Sequence, residues 1–228
     1  MNQSKVYTLV IDHIKTLVQE GEIAFGEKLP SERQLMATLG LSRNSIREAL
    51  RSLENMGIIE SRHGQGNILV NHIDQSLGSI FSLLLFMKQC SVTEVHQLRR
   101  SIEISAYLLA VKQVQDTQIQ ALSACLDALA DSDAQNRARL DKQFHDTLIG
   151  LSRNHMFILL NDTLSQLYEC AIQEQQAHLS SEDWNLLLSC HARIVSCLIS
   201  REETSGIRAI TQHYELVEGL SYTGGRKG

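Results

Sequence analysis

Four residues in the second half of the sequence have side chains that could bind a metal ion. Asp141 and His145 are four residues apart, which puts the carboxylate and the imidazole on one face of a helix. His191 and His213 lie beside apolar residues in later segments. Three imidazoles and a carboxylate that converge inside a helical bundle suit a divalent transition metal, with positions left for an added ligand. Spacing alone leaves a second interpretation open, in which these are hydrogen-bonded core histidines and an ordinary Asp/His pair.

Three arginines in the first half have the spacing of a DNA-reading helix. Arg43, Arg47 and Arg51 share one helical face, and apolar residues occupy the opposite face. A guanidinium group is a planar fork that can bind guanine at two points or hold a phosphate. The alternative is a solvated face whose arginines pair with Glu48 and Glu54. The elements around the three arginines favour the first interpretation.

Those elements are the parts of a helix-turn-helix. Ser31 and Gln34 have capping-box spacing at the start of a short helix, and Gly40 is placed to end it. Ser42 is suited to cap the longer helix that carries the arginines. A short helix, a glycine-containing turn and a longer helix form the unit whose second helix enters the major groove.

A β-hairpin is predicted directly after the arginine-bearing helix. Residues 58–62 and 67–70 read as two short strands. Gly64 and Gly66 between them permit the positive φ values that a tight turn requires. A hairpin in this position is a wing, whose tip could enter the adjacent minor groove. The candidate DNA-binding residues are Arg33, Ser42, Arg43, Asn44, Ser45, Arg47, His63 and Gly64.

The rest of the chain shows only helical patterns. Ser91 and Glu94 form a second capping box, and short loops between the helices favour an antiparallel bundle. The predicted helices cover residues 75–89, 92–113, 117–131, 134–152, 155–178, 182–200 and 203–220. We therefore predict a mainly α fold, with a winged helix-turn-helix at 1–70, a linker at 71–77 and an all-helical antiparallel bundle at 78–222.

The composition is that of an ordinary globular protein. The 228 residues are 43% hydrophobic and 21% charged, with a formal net charge of −5, which by itself does not indicate a nucleic-acid binder. Residues 1–70 carry eight basic and eight acidic side chains, so the acidic excess lies after them. The longest apolar run, 80–87, is too short to cross a bilayer and no export signal is evident, so we expect a cytoplasmic protein. Five cysteines without a C-x-x-C pair argue against a disulfide framework or a thiolate zinc cluster.

The N-terminal motifs resemble those of a known family. The segments GEKLPSER at 26–33 and LSRNSIREAL at 41–50 resemble the signature of the GntR superfamily, and the likeness continues through the wing at 57–66. The resemblance implies a homodimer on a pseudo-palindromic operator, with Arg33, Arg43, Arg47 and the pair His63-Gly64 at DNA-contacting positions. One departure is Asn67, which stands where a hydroxyl residue is usual.

The C-terminal segments are similar to a second pattern. DKQFH at 141–145, HARI at 191–194 and His213 resemble the FCD ligand-binding domain of the FadR-type branch. The resemblance implies that the matching Asp and His residues bind a metal, commonly zinc or nickel, which helps to hold a carboxylate metabolite. Arg99 matches a family arginine near the pocket, where its fork could clamp a carboxylate. A surface ion pair between Arg99 and Glu103 is the alternative.

These features together predict a DNA-binding transcription regulator that responds to a ligand, most often a repressor released by a small carboxylic acid. A metal-sensing regulator, a metal-dependent enzyme and an architectural DNA binder are the other hypotheses. We do not expect an enzyme and assign no catalytic residue, because no further carboxylate has the spacing of a general base.

Overall fold

A computed structural model describes residues 3–177 and 179–224, with side chains for residues 7–165, 167 and 179–219. Its elements in chain order are α1 (Gln3–Gln19), α2 (Glu32–Leu39), α3 (Arg43–Asn55), β1 (Ile59–Arg62), β2 (Gly66–Leu69), α4 (Ile73–Phe86), α5 (Val92–Gln113), α6 (Asp116–Ala130), α7 (Arg137–Gly150), α8 (His155–Ala177), α9 (Ser181–Ile199) and α10 (Glu203–Gly224). The chain divides into two compact units between Ile80 and Phe81.

Helices α1 to α3 bury their apolar faces against one another in the first unit. Leu35, Ile46 and Leu53 are almost completely buried there. The predicted capping box of Ser31 and Gln34 is present at the start of α2, where it satisfies amides that the first helical turn leaves without partners. Gly40 ends α2 in the left-handed conformation, with φ of 66°.

The predicted hairpin follows α3 as an antiparallel pair in which Ile59 lies opposite Leu69 and Ser61 lies opposite Asn67. Residues 26–29 also bond to the second strand, a contact that no sequence pattern indicated. The N–H of Leu29 donates to the carbonyl of Asn67 at 2.8 Å, and the N–H of Leu69 donates to the carbonyl of Glu27 at 2.9 Å. The wing is therefore anchored on its second strand as well as by its connection to α3.

Residues 73–77 are helical, although we expected a linker at 71–77. The hydroxyl of Ser76 donates to the carbonyl of Asn55 at 3.0 Å, and the N–H of His72 donates to the carbonyl of Gly57 at 2.8 Å. Gly57 has a φ of 71°, and a Cβ atom at this position would lie 2.3 Å from the His72 oxygen. These contacts tie the start of α4 to the end of α3, so the division between the units falls within α4.

The second unit consists of helices, as predicted. Helices α6 and α7, α7 and α8, and α9 and α10 pack against each other, and α5 packs against α7, α8 and α10. Tyr107 and Phe144 are fully buried in its main core. Helix α7 begins at Arg137 and not at the predicted residue 134, because Asp133 accepts hydrogen bonds from the backbone and side-chain amides of Asn136 and holds a turn.

The structure thus confirms the mainly α fold, with a winged helix-turn-helix followed by a helical unit. In the described parts of the chain, no helix combines the length and the apolar character required to cross a membrane.

Candidate metal centre and nucleic-acid interface

The four predicted metal-binding residues converge in the core of the second unit. Helix α7 carries Asp141 and His145, α9 carries His191 and α10 carries His213. One donor atom from each residue lies within 4.8 Å of those of the other three. The Nε2 atom of His191 is 3.2 Å from Oδ1 of Asp141 and 3.3 Å from Nε2 of His145. All three imidazoles are buried, and the carboxylate of Asp141 is 13% exposed.

Two hydrogen bonds determine which ring nitrogens face the centre of this cluster. Nδ1 of His145 lies 2.8 Å from Oε2 of Glu103, and Nδ1 of His191 lies 2.9 Å from the carbonyl oxygen of Leu187. A carboxylate and a carbonyl accept hydrogen bonds, so each Nδ1 is the donor. The Nε2 lone pairs of both rings are consequently available toward Asp141, as in the carboxylate–histidine–metal arrangements of zinc proteins.

Glu103 is held in the ionised form that this arrangement requires. Burial raises the pKa of Glu103, but the charge and hydrogen bond of His145, together with the hydrogen bond from Tyr214, bring the pKa below its usual value. The hydroxyl of Tyr214 donates to the same Oε2 atom at 2.9 Å. Burial and the charge of Glu103 raise the pKa of Tyr214 well above its usual value, so the phenol keeps its proton.

The donor set fits a metal ion. Oδ1 of Asp141 and the Nε2 atoms of His145 and His191 face one another, and in the neutral rings these nitrogens are electron-pair donors that a cation between them would satisfy. Both ring nitrogens of His213 are buried and form no hydrogen bond within the described part of the chain, which is costly for a polar group unless another ligand satisfies it. A divalent ion bound by the four residues would meet both requirements.

The pKa shifts of His213 and Asp141 favour the protonation states of metal ligands. Burial lowers the pKa of His213 well below its usual value, and the neighbouring His191 and His145 lower it further. Burial raises the pKa of Asp141, but its hydrogen bond with His191 and the charges of the three histidines outweigh burial and lower the pKa. Neutral imidazole and ionised carboxylate are the forms that bind metals.

Arg99 is buried near this cluster and not on the surface. Its side chain lies on α5 at 6% exposure, and Glu103 on the same helix is fully buried, so the alternative of a surface ion pair is wrong. The charge of Arg99 contributes to lowering the pKa of Glu103 and of His213, which places it within electrostatic range of the metal-binding residues. His96, one turn earlier, is also buried, and burial together with the charge of Arg99 lowers its pKa to about 4.

In the first unit, the first two arginines of α3 point to solvent. The side chains of Arg43 and Arg47 are 70% and 53% exposed, and each guanidinium forms an ion pair of 3.3 Å with Glu32. The carboxylate that pairs with Arg43 and Arg47 is thus Glu32 at the start of α2, a residue that the alternative interpretation did not include. Glu54 instead accepts a hydrogen bond from the backbone N–H of Ser61.

The other candidate DNA-binding residues lie at the ends of the same elements. Arg33 and Asn44 are exposed. The hydroxyl of Ser42 accepts the backbone N–H of Ser45 at 3.2 Å, and the two hydroxyl groups are 2.9 Å apart. The Ser42 oxygen thus caps α3 and satisfies one of the amides that the first turn leaves without a helical partner.

The tip of the wing is exposed and shaped by glycine. His63, Gly64 and Gln65 connect the two strands, and the N–H of Gln65 donates to the carbonyl of Arg62 at 3.0 Å. Gly64 has a φ of 76°, a value that a side chain disfavours. His63 is therefore presented to solvent at the end of a short, defined turn.

Three residues at these sites were missed as functional candidates in the sequence. From the sequence, Glu103 was considered only as a possible surface partner of Arg99. Glu32 was part of the GEKLPSER segment but was assigned no function, and Tyr214 was not considered. Glu32 pairs with Arg43, which is 11 positions away, and Tyr214 donates a hydrogen bond to Glu103, which is 111 positions away. No local spacing marks such a pairing, so only the folded chain reveals it.

Comparison with known proteins agrees with both units. Residues 6–68 match the family described as bacterial regulatory proteins, gntR family, and residues 94–216 match the FCD domain. The chain is 26% identical to the HTH-type transcriptional regulator YcbG of Bacillus subtilis over 97% of its own length and 90% of that protein. It is 26% identical to the HTH-type transcriptional repressor NanR of an Enterobacter strain, over 98% of this chain and 88% of that one.

The fold is shared with solved structures. The structure of Streptococcus agalactiae GntR matches with a TM-score of 0.71 at 25% identity, covering 94% of this chain and 98% of that chain. The families and relatives are regulators of transcription, so the chain is not an enzyme. The two matched domains and the geometry of the two sites lead to one assignment: this chain belongs to the GntR family and is a transcription regulator that combines a helix-turn-helix domain with an FCD domain.

Proposed function

We propose that the chain is a repressor that binds a pseudo-palindromic operator as a homodimer and is released by a small carboxylic acid. The main support for DNA binding is that Arg43 and Arg47 are exposed on α3. Helix α3 is directly followed by a wing with an exposed tip. The residues proposed to face the duplex are Arg33, Ser42, Arg43, Asn44, Ser45, Arg47, His63 and Gly64. A protein that binds a bacterial chromosome acts in the cytoplasm.

The effector site is proposed at the buried cluster of the second unit. Asp141, His145, His191 and His213 would hold a divalent transition metal, which suits imidazole and carboxylate donors and which the FCD resemblance implies is zinc or nickel. Such an ion supplies a Lewis-acid centre that can bind one end of a carboxylate. Arg99 is buried and charged nearby, and its guanidinium would clamp the same ligand or a second acidic group.

Regulation follows from linkage between the two sites. A carboxylate that binds one conformation of the protein more tightly shifts the population toward that conformation. The half-sites of a dimer's operator are about one helical turn apart, so a small change in the separation of the two recognition helices prevents both from binding together. The relative named as a repressor supports repression as the mode of control in this proposal.

One experiment tests the whole proposal. A duplex is selected from a random pool by the purified metal-replete protein, and its binding is measured by fluorescence anisotropy while a panel of small carboxylic acids is added. We expect a saturable complex of two chains per duplex by light scattering, and weaker binding with at least one acid. Failure to enrich any sequence contradicts the DNA-binding role, and a stable monomer on the duplex contradicts the dimer.

A metal-sensing regulator is the second candidate. It is favoured by one observation, namely that four protein donors are enough to complete a tetrahedral zinc site without any added ligand. In that case chelation alone would change operator affinity, and no carboxylic acid would change it further. In the primary proposal, the acid changes affinity only while the metal is present.

A further inference from the structure

Glu32 connects the two exposed arginines of the proposed recognition helix. Its Oε2 atom lies 3.3 Å from Nε of Arg43, and its Oε1 atom lies 3.3 Å from Nε of Arg47. One carboxylate thus holds two guanidinium groups that belong to successive turns of α3. Glu32 itself is fixed, because it is the first residue of α2 and follows the capping box of Ser31 and Gln34.

Contact through Nε leaves the recognition edge of each arginine available. A guanidinium carries five N–H groups, and the fork made by its two terminal nitrogens matches the O6 and N7 atoms of guanine or two phosphate oxygens. Glu32 binds Arg43 and Arg47 at Nε and not at this fork. The carboxylate therefore restricts the orientation of both side chains while their outer edges remain free to bind DNA.

Glu32 also has an electrostatic effect, which disfavours DNA binding. It adds a negative charge directly beside Arg43 and Arg47, on the face that we propose meets the DNA backbone. Affinity for any duplex depends on the charges that oppose the phosphates, so this carboxylate weakens binding to unrelated sequences. On the operator, correctly placed contacts of Arg43 and Arg47 with bases compensate for the weaker attraction to phosphates. Unrelated sequences do not provide those contacts.

We propose that Glu32 is a positioning residue for sequence discrimination, which orients Arg43 and Arg47 and suppresses binding to non-operator DNA. This inference rests on the proposed function of DNA binding. The competing explanation is purely structural, because an acidic residue in the first turn of α2 also stabilises the helix dipole. If Glu32 positions the arginines, its loss lowers the ratio of operator affinity to non-operator affinity. If its role is purely structural, that ratio does not change.

The test compares four proteins on two duplexes. One duplex is selected from a random pool by the wild-type protein, and the other is a scrambled sequence of equal length and composition. The proteins are wild type, Glu32→Gln, Glu32→Asp and Glu22→Gln, the last being a matched loss of one exposed negative charge elsewhere in the first unit. Kd is measured over a range of salt concentrations, and thermal unfolding is measured in parallel.

We expect Glu32→Gln to bind the scrambled duplex more tightly and the selected duplex less tightly, so that the affinity ratio falls on the order of ten-fold, the discrimination that a bidentate arginine contact provides. Glu32→Asp keeps the charge but is too short to reach both arginines, so it should lose discrimination without gaining affinity for the scrambled duplex. Glu22→Gln should keep the wild-type ratio.

Two outcomes overturn the inference, and they are distinguishable from failure of the proposed function. If wild type enriches a sequence but Glu32→Gln keeps the ratio within about two-fold, Glu32 acts only on the stability of α2 and the inference is wrong. The same holds if Glu32→Gln lowers the ratio equally in an Arg43→Ala, Arg47→Ala background, where no guanidinium is left to orient. If wild type enriches no sequence, the DNA-binding proposal and the inference fail together.

Discussion

Glu103 and His145 form a buried hydrogen bond of 2.8 Å that joins α5 to α7 at the proposed metal centre. The bond fixes the ring so that Nε2 faces Asp141, and the negative charge raises the basicity of that nitrogen. We expect Glu103→Gln to weaken metal binding by about 10–100-fold, the usual effect of removing such a partner. Competition with a chromogenic chelator measures the affinity.

The matched control is Glu203→Gln, which removes a half-exposed carboxylate from a surface ion pair with Lys112. It should bind metal like wild type. An unchanged affinity in Glu103→Gln would show that the hydrogen bond has no part in metal binding.

His213 provides a direct test of the ligand set. Its ring nitrogens form no hydrogen bond with any residue that the structure describes, so replacing it removes a metal ligand without breaking another observed polar contact. We predict that His213→Ala loses most of the roughly one ion per chain that a four-ligand site holds, by elemental analysis after dialysis. His155→Ala, which changes an exposed histidine at the start of α8, should retain the ion. Equal metal content in the two variants would show that His213 is not a metal ligand.

Metal stabilisation should increase with pH. Burial lowers the pKa of His145, but Glu103 and Asp141 outweigh burial, so the pKa in the folded protein is raised. Below that pKa the ring carries a proton on Nε2 that the metal must displace. In the metal-free protein, the protonated ring stabilises the fold below the unfolded value of about 6.5, and this contribution is lost as pH rises through the folded pKa.

The difference in Tm between zinc-loaded and chelator-treated protein should therefore widen from about pH 6 to about pH 8. Differential scanning calorimetry at several pH values measures it. A difference that stays constant or narrows over this range would contradict the proposed ligation by His145.

The recognition face can be tested by removing one arginine at a time. Arg43→Ala and Arg47→Ala should each weaken binding to a selected duplex by roughly ten-fold or more, while the unfolding curve is unchanged because both side chains are exposed. Lys15→Ala, which removes an exposed positive charge from α1, is the control. Retention of wild-type Kd by either arginine variant would exclude that side chain from the DNA contact.

Gly206 provides a test of the packing in the main core of the second unit. A Cβ atom at Gly206 would lie 2.1 Å from the ring of Tyr107, which is fully buried and donates a hydrogen bond to the carbonyl of Glu202. Gly206→Ala should destabilise the protein by about 1–3 kcal/mol through overpacking. Gly219→Ala lies on the same helix with open space around it, and should stabilise the protein by up to about 1 kcal/mol. Urea unfolding compares the two, and equal stabilities would contradict the close contact with Tyr107.

The sequence by itself determined the elements and the faces on which the candidate residues lie. The capping boxes at Ser31 and Ser91 are where they were predicted, because a cap depends on residues three positions apart. Asp141 and His145 share a helical face for the same local reason. The hairpin was predictable from its glycines, whereas the pairing of residues 26–29 with β2 was not, since it joins segments distant in the chain.

Only the tertiary structure decided which of these residues meet. His191 and His213 reach Asp141 and His145 because α9 and α10 pack in the same core, and no pattern within either helix encodes that register. The pairing of Glu103 with His145 and of Glu32 with Arg43 and Arg47 is non-local in the same way. Helix periodicity specifies the direction of a side chain from its own axis, while its distance to another helix depends on how all the buried side chains between them pack.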